Sequence, residues 1–217
     1  MTMIDEALRY LGVKSDPEGA VRARLTMLAE ELSNSVKPRH VLRVLDVRWD
    51  GEAVRLGEAV ALPGSMARTM LRDCGRAALL VCTLGPTFDA RMRTAQARDM
   101  AEAVMLDALG SALAEEGCDA AEKELAARLP GMHLTDRFSP GYGDLPLTVQ
   151  PEVLAATDAM RRLGVQVTES CLLIPQKTVT AVIGIADRPQ PARIRGCGSC
   201  PMQGTCSYRR EGAICHV

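Results

Sequence analysis

The sequence contains the decapeptide Arg137-Phe138-Ser139-Pro140-Gly141-Tyr142-Gly143-Asp144-Leu145-Pro146, spaced R-x-x-x-G-Y-x-x-x-P, between two helical patterns. Polar, turn-rich loops of this kind often bind ligands. The guanidinium of Arg137 can hold a carboxylate through two parallel hydrogen bonds, and the ring of Tyr142 attracts a cation. Gly141 lets a ligand approach the backbone closely because it has no Cβ. S-adenosylmethionine (AdoMet) carries a carboxylate, an ammonium and a sulfonium, and it fits this set. The alternative is a turn with a structural arginine, since Pro-Gly is an ordinary turn dipeptide.

Further blocks follow the decapeptide in a fixed order. They are Gln150-Pro151, Leu163-Gly164-Val165, Thr168-Glu169-Ser170, Pro175 and the stretch T-V-T-A-V-I-G at 178–184. Together with the decapeptide, they resemble the activation (reactivation) domain of cobalamin-dependent methionine synthase. That family has its L-T-E-S, M-x-P and S-V-S-G stretches in the same order at similar spacing. The resemblance extends from about residue 75 to 187 and is vague before that.

The resemblance implies an AdoMet-binding protein that supports reductive methylation of cob(II)alamin. Arg137 would hold the ligand carboxylate, and Gly141 and Pro146 would shape the loop. Tyr142 would pack near the sulfonium or hold the ligand by its hydroxyl. The family also places an acidic residue on the preceding helix, where this chain has Ser111. We expect Asp107, one turn earlier on the same face, to substitute for it. Glu115 lies one turn later, and the alternative is that all three are solvated helix residues.

The chain is too short to include cobalamin-binding and homocysteine-binding modules. The resemblance therefore implies action in trans on a separate methionine synthase or another corrinoid protein, which supplies the cobalamin. Flavodoxin delivers the electron in that family, and ferredoxin is a further candidate donor. The competing class is non-catalytic. It includes an AdoMet sensor, or an accessory protein that acts as a redox carrier through its metal.

The distribution of apolar residues predicts an α+β fold with a mixed, mainly antiparallel twisted sheet flanked by helices. Alternating residues at 45–49, an Asp50-Gly51 turn and residues 53–56 indicate a hairpin. The apolar run 77–84 indicates a buried strand, and strands are expected near 167–174 and 178–186. Helices are expected over 65–71, over 87–129 with a break near Gly117, and over 151–163. Strands and helices do not alternate regularly, which favours α+β over a doubly wound sheet.

The composition and the charge balance argue against nucleic-acid-binding, membrane-spanning and secreted proteins. Apolar residues make up 47% of the 217 residues and the net charge is −1, so we expect a substantial core and no nucleic-acid partner. No stretch approaches the roughly 20 apolar residues of a membrane span, and the first residues do not resemble a signal peptide. We therefore expect a cytoplasmic protein without a membrane partner, whose cysteines are reduced or metal-bound.

Four of the eight cysteines lie near the end of the chain with the spacing C-x2-C-x5-C-x8-C. They are Cys197, Cys200, Cys206 and Cys215. We expect residues 1–187 to form the AdoMet-binding α+β domain and residues 188–217 to form a linker and a metal-bound module. A [4Fe–4S] cluster accepts one close pair plus two scattered cysteines, and Pro201 lies beside a ligand as in many such sites. Zinc is the alternative, His216 could replace Cys215, and disulfides are the remaining interpretation.

Overall fold

A six-stranded sheet forms the centre of the protein. The computed structural model describes residues 2–13, 19–51, 53–191, 194, 204–206 and 210. Each pairing of neighbouring strands is antiparallel. The strands of the sheet are β1 (Arg39–Trp49), β2 (Ala53–Leu56), β3 (Val60–Pro63), β4 (Arg76–Thr83), β5 (His133–Leu134) and β8 (Thr178–Ala186). Their order in the sheet is β3-β2-β1-β4-β8-β5. A separate hairpin comprises β6 (Gln166–Val167) and β7 (Leu173–Ile174).

Seven helices pack around this sheet in the described part of the chain. Two of them, α4 and α5, follow each other with a single residue between them. The helices are α1 (Met3–Tyr10), α2 (Ala20–Ser35), α3 (Ser65–Met70), α4 (Gly85–Arg98), α5 (Met100–Arg128), α6 (Gln150–Thr157) and α7 (Ala159–Leu163). None of these helices is long and apolar enough to cross a membrane.

Strand β4 separates two of the hydrophobic clusters. Leu79 and Val81 pack on one side with residues of α3 and α6, while Leu80 and Cys82 pack on the other side with residues of α5. Alternate side chains of a strand point to opposite faces, so helices on both faces bury the whole strand. This explains why β4 reads as a continuous apolar run instead of an alternating one. A third cluster joins α1, α2, α4 and α5.

The structure confirms the predicted hairpin, the buried strand β4, the strand β8 and the short helix α3. The predicted break near Gly117 is wrong, because the helical run is interrupted at Asp99 instead. The Asp99 carboxylate accepts hydrogen bonds from the backbone N–H groups of Ala101 and Glu102 and so caps α5. A Cβ on Gly117 would lie 2.6 Å from Pro38 Cβ. The glycine therefore allows α5 to pack closely, and it does not end the helix.

Two other elements differ from expectation. The helix expected over 151–163 is divided at Asp158, which has a left-handed backbone (φ 54°). The strand expected over 167–174 is a short hairpin that turns where Cys171 N–H donates to the carbonyl of Thr168. In the sequence, Asp16 followed by Pro17 is typical of a helix start, and this pair lies outside the described residues.

Candidate ligand-binding site

A cavity of about 780 Å³ lies between α1, α5, the decapeptide and the start of β8. From α5 it receives Ala112, Glu115, Glu116 and Asp119, and from β8 it receives Thr178, Val179 and Thr180. Four decapeptide residues also line it: Arg137, Ser139, Pro140 and Tyr142. The structure thus brings two of the predicted ligand residues, Arg137 and Tyr142, to the same cavity.

Phe138 fixes the start of the decapeptide. It is fully buried, and its backbone exchanges hydrogen bonds of 3.0 and 2.8 Å with Val182 of β8. Successive side chains of extended backbone point to opposite sides. With Phe138 in the core, Arg137 and Ser139 therefore face the cavity.

Gly141 and Pro146 shape the loop and do not line the cavity. Gly141 has a positive φ of 95°, and its N–H donates to the carbonyl of Leu145 at 2.7 Å. A Cβ at this position would lie 3.2 Å from Leu147 Cδ2, so the glycine serves the turn and its packing. Pro146 stands at the start of a 3₁₀ turn, Leu147–Val149, that leads into α6.

Asp144 attaches the loop to α3. Its carboxylate accepts hydrogen bonds from the backbone N–H groups of Ser65 and Met66, in the first turn of that helix. These bonds, that of Ser65 first, lower the pKa of Asp144 from 3.8 to about 2. Gly64 makes the approach possible, because a Cβ there would lie 2.7 Å from Asp144 Cγ.

Arg137 is buried, with 7% of its side chain exposed, and it contacts three carboxylates of α5. Its Nη1 donates to Asp119 at 2.7 Å and to Glu122 at 2.6 Å, and its Nη2 donates to Glu115. Burial acts to lower the pKa of Arg137, but the three carboxylates outweigh it and the net pKa lies above the usual range. The guanidinium is therefore charged, and it already has partners on α5.

The cavity wall is acidic. Among its described lining residues, four carboxylates (Glu6, Glu115, Glu116 and Asp119) face two guanidiniums (Arg9 and Arg137). Burial, assisted by Asp119, raises the pKa of Glu116. Burial and the charges of Glu6 and Glu115 raise the pKa of Tyr10 to about 12. This wall suits a ligand that carries positive charge.

Helix α1 supplies cavity residues that our sequence prediction did not include. Met3, Glu6, Arg9 and Tyr10 all line the cavity, as does the residue that caps the helix, Thr2. A capping box, in which Thr2 and Asp5 each bond the other's backbone N–H, starts α1. The T-x-x-D pattern at residues 2–5 is the sequence signal that could have indicated this helix.

Asp107 lies apart from the cavity. Its carboxylate pairs with Lys177 Nζ at 2.9 Å, and the same ammonium donates to Ser111 Oγ at 2.8 Å. The acidic groups of α5 that do line the cavity come from the following turns of this helix. Glu115, which lies one turn beyond Ser111, is one of the three carboxylates that contact Arg137.

Of the tail cysteines, Cys206 is described and is partly exposed, whereas Cys197, Cys200 and Cys215 lie outside the described residues. Within the described ranges, no three His, Cys, Asp or Glu side chains are arranged to hold a metal ion. Ile194, in the expected linker, also lines the large cavity, and its N–H donates to Asp136 at 3.1 Å.

No known family model matches the chain, and no curated protein matches it either. Among solved structures, it is similar to the crystal structure of the MetH reactivation domain bound to AdoHcy, with a TM-score of 0.61 and 15% sequence identity. The match covers 94% of this chain and 76% of that chain. At this identity the similarity concerns the fold. It confirms the expected α+β architecture, and it extends into the N-terminal part, where the sequence resemblance is vague.

Proposed function

We propose that this protein binds AdoMet in the large cavity and supports reductive methylation of cob(II)alamin on a separate methionine synthase or another corrinoid protein. One observation carries the proposal: Arg137 and Tyr142 of the R-x-x-x-G-Y-x-x-x-P motif line the same cavity. The fold is that of a reactivation domain whose structure contains AdoHcy, which is AdoMet without its methyl group. This role belongs in the cytoplasm.

The charge of the cavity supports a sulfonium ligand. AdoMet has a net charge of +1, because its sulfonium and ammonium exceed its single carboxylate. Glu116 has no hydrogen-bond or ion-pair partner in the described chain and lines the cavity. A carboxylate in this position attracts a cation, and a partly buried pair is less screened by salt than an exposed one.

Arg137 would hold the ligand carboxylate by exchanging one of its present partners. Glu115 and Asp119 have 46% and 53% of their side chains exposed, so either can turn towards solvent at little cost. Glu122, with 23% exposed, would remain on the guanidinium. In this arrangement the displaced carboxylate stays near the cavity, where the ligand ammonium can pair with it.

Reductive methylation depends on how the protein positions AdoMet more than on acid or base groups. One electron converts cob(II)alamin to cob(I)alamin, whose cobalt attacks the AdoMet methyl carbon as the C–S bond breaks and AdoHcy leaves. The chain must hold the methyl group in line with the cobalt of its partner. Tyr142, which lines the cavity, and Leu147, which lies next to Gly141 of the decapeptide, have 52% and 43% of their surface exposed. They offer an apolar rim for the corrinoid protein.

We further propose that residues 188–217 form a metal module held by Cys197, Cys200, Cys206 and Cys215. The cysteine spacing in the sequence supports it. A [4Fe–4S] cluster there would reach low potentials and could pass the electron to cobalamin, with flavodoxin or ferredoxin as its source. Zinc in the same cysteines would have a structural role instead.

Calorimetric titration of AdoMet into anaerobically purified protein tests the ligand site. We expect saturable binding that Tyr142→Ala weakens by about 0.5–2 kcal/mol, since the ring would contact the sulfonium. Both Tyr142 and its control, Trp49, are about half exposed, so neither substitution endangers the fold. Trp49→Ala should leave binding unchanged, since Trp49 ends β1 and does not line the cavity. Absence of binding would refute the proposal.

Methyl transfer separates the activation role from AdoMet sensing. The assay supplies AdoMet, a chemical reductant and a cob(II)alamin-bearing methionine synthase, and it follows methylcobalamin by absorbance. Formation of methylcobalamin that depends on this protein supports the activation role. AdoMet binding without methyl transfer would identify the chain as a non-catalytic sensor instead.

A further inference from the structure

A second cleft, of about 470 Å³, lies between the start of β1, one face of α4 and the end of α7. Four arginines line it: Arg39, Arg93, Arg161 and Arg162. Asp89 is the one carboxylate among its described lining residues. The chain as a whole has a net charge of −1, so this cleft concentrates positive charge well above the average of the protein.

Two of these arginines are available to a ligand. Arg93 and Arg162 have no carboxylate within ion-pair distance among the described residues. Arg39 is held in place because its Nη2 donates to the carbonyl of Leu163 at 2.8 Å. Asp89 accepts hydrogen bonds of 3.1 and 3.3 Å from the backbone N–H of Gln176, so it is directed to the backbone instead of to an arginine.

The remaining walls of the cleft are apolar. Met160 and Ile174 have 57% and 49% of their surface exposed, and Pro86 stands in the first turn of the 14-residue helix α4. The positive end of a helix dipole favours anions. The volume falls within the roughly 300–1,000 Å³ of small-molecule sites. Guanidiniums match the geometry of phosphate, which takes bidentate hydrogen bonds from more than one of them.

We infer that this cleft is a second ligand site, separate from the large cavity, that binds a small organic molecule bearing a phosphate group. Arg93 and Arg162 hold the phosphate, and the apolar part of the ligand packs on Met160 and Ile174. The segment 173–175 separates the two sites: Leu173 lines the large cavity, and Ile174 and Pro175 line the cleft.

Calorimetric titration at low salt with inorganic phosphate and with phenyl phosphate tests this site in the full chain. We expect saturable binding of both probes at one site per chain, with phenyl phosphate binding more tightly because of the apolar wall. Arg93→Gln and Arg162→Gln should each weaken phenyl phosphate by about tenfold, the loss of one charge-assisted hydrogen bond. Both arginines are exposed, so these variants should fold.

Arg98→Gln is the matched control, because Arg98 is an exposed arginine of the same helix outside the cleft. It should bind phenyl phosphate like the unmodified protein. An equal loss in Arg98→Gln would show attraction by overall charge and overturn the inference. Failure of both probes to saturate would also overturn the inference. This holds even if the same face binds an acidic protein, because the inference is for a small phosphate-bearing molecule. Either result is independent of AdoMet binding.

Discussion

The carboxylate of Asp144 accepts a 2.8 Å hydrogen bond from the backbone N–H of Met66, which fastens the decapeptide to the first turn of α3. The two residues are far apart in the sequence, and Gly64 leaves the space in which they meet. The contact therefore links the candidate ligand loop to the α3 side of the sheet. It gives the loop a fixed position before any ligand arrives.

The hydrogen bonds of Asp144 to α3 make the free energy of unfolding depend on pH. The folded-state pKa of Asp144 is lowered to about 2 from 3.8, so its contribution is complete above pH 3.8 and is lost as the pH falls towards 2. We expect Asp144→Ala to lower the urea midpoint at pH 7, and to lower it less at pH 2. Asp187→Ala removes an exposed carboxylate with no partner in the described chain and should show no such difference. Parallel pH profiles for the two variants would contradict this role.

Arg137→Met should destabilise the protein because it leaves three carboxylates without their shared cation. We expect a loss of about 2–3 kcal/mol, less than for a fully buried pair because Glu115 and Asp119 are half-exposed. Added salt should recover part of the loss by screening their repulsion. Urea unfolding at low and high salt measures both effects. As a control, Arg128→Met removes an exposed ion pair with Glu124 and should lower the free energy of unfolding by under about 1 kcal/mol. A similar loss for both variants would contradict the stabilising role of Arg137 among its three carboxylates.

Gly110→Ala should destabilise the protein although alanine favours helices. A Cβ on Gly110 would overlap the ring of Phe88, a buried residue of α4 that packs against α5. Overpacking costs about 1–3 kcal/mol, which exceeds the roughly 1 kcal/mol gained in helix propensity. Thermal unfolding measures the difference. Gly75→Ala is the matched control, since nothing lies within 4 Å of a Cβ there. A stabilised Gly110→Ala variant would show that the two helices do not pack as described.

The cysteine tail should contain about four irons and four acid-labile sulfides per chain after anaerobic purification. Replacing Cys197 and Cys200 together with serine should abolish both, because the proposed module uses both cysteines as cluster ligands. Cys171→Ser changes a partly exposed cysteine of the β6–β7 hairpin and should leave the metal content unchanged. Zinc without sulfide would refute the cluster and retain the metal module. Protein free of both metals would refute the module itself.

Local sequence determined much of the secondary structure. The apolar run at 77–84 predicts β4, and the alternation at 45–49 with Asp50-Gly51 predicts the hairpin, because hydrogen bonding and side-chain direction repeat over a few residues. The interruption of the long helix could not be placed in the same way. Gly117 looks like a breaker in the sequence, and only its packing against Pro38 shows why a glycine stands there.

The decapeptide could also be predicted as a loop, because motif spacing is a local property, and the assignment of Arg137 and Tyr142 as ligand residues stays a prediction. Which charges face that loop depends on long-range packing and could not be predicted from the sequence. The tertiary structure directs Asp107 to Lys177, brings Glu115 to Arg137, and adds Glu6 from the distant helix α1 to the cavity wall. The physical reason is that a cavity is assembled by long-range packing of helices against a sheet. Neither periodicity nor spacing encodes which remote side chains come to share it.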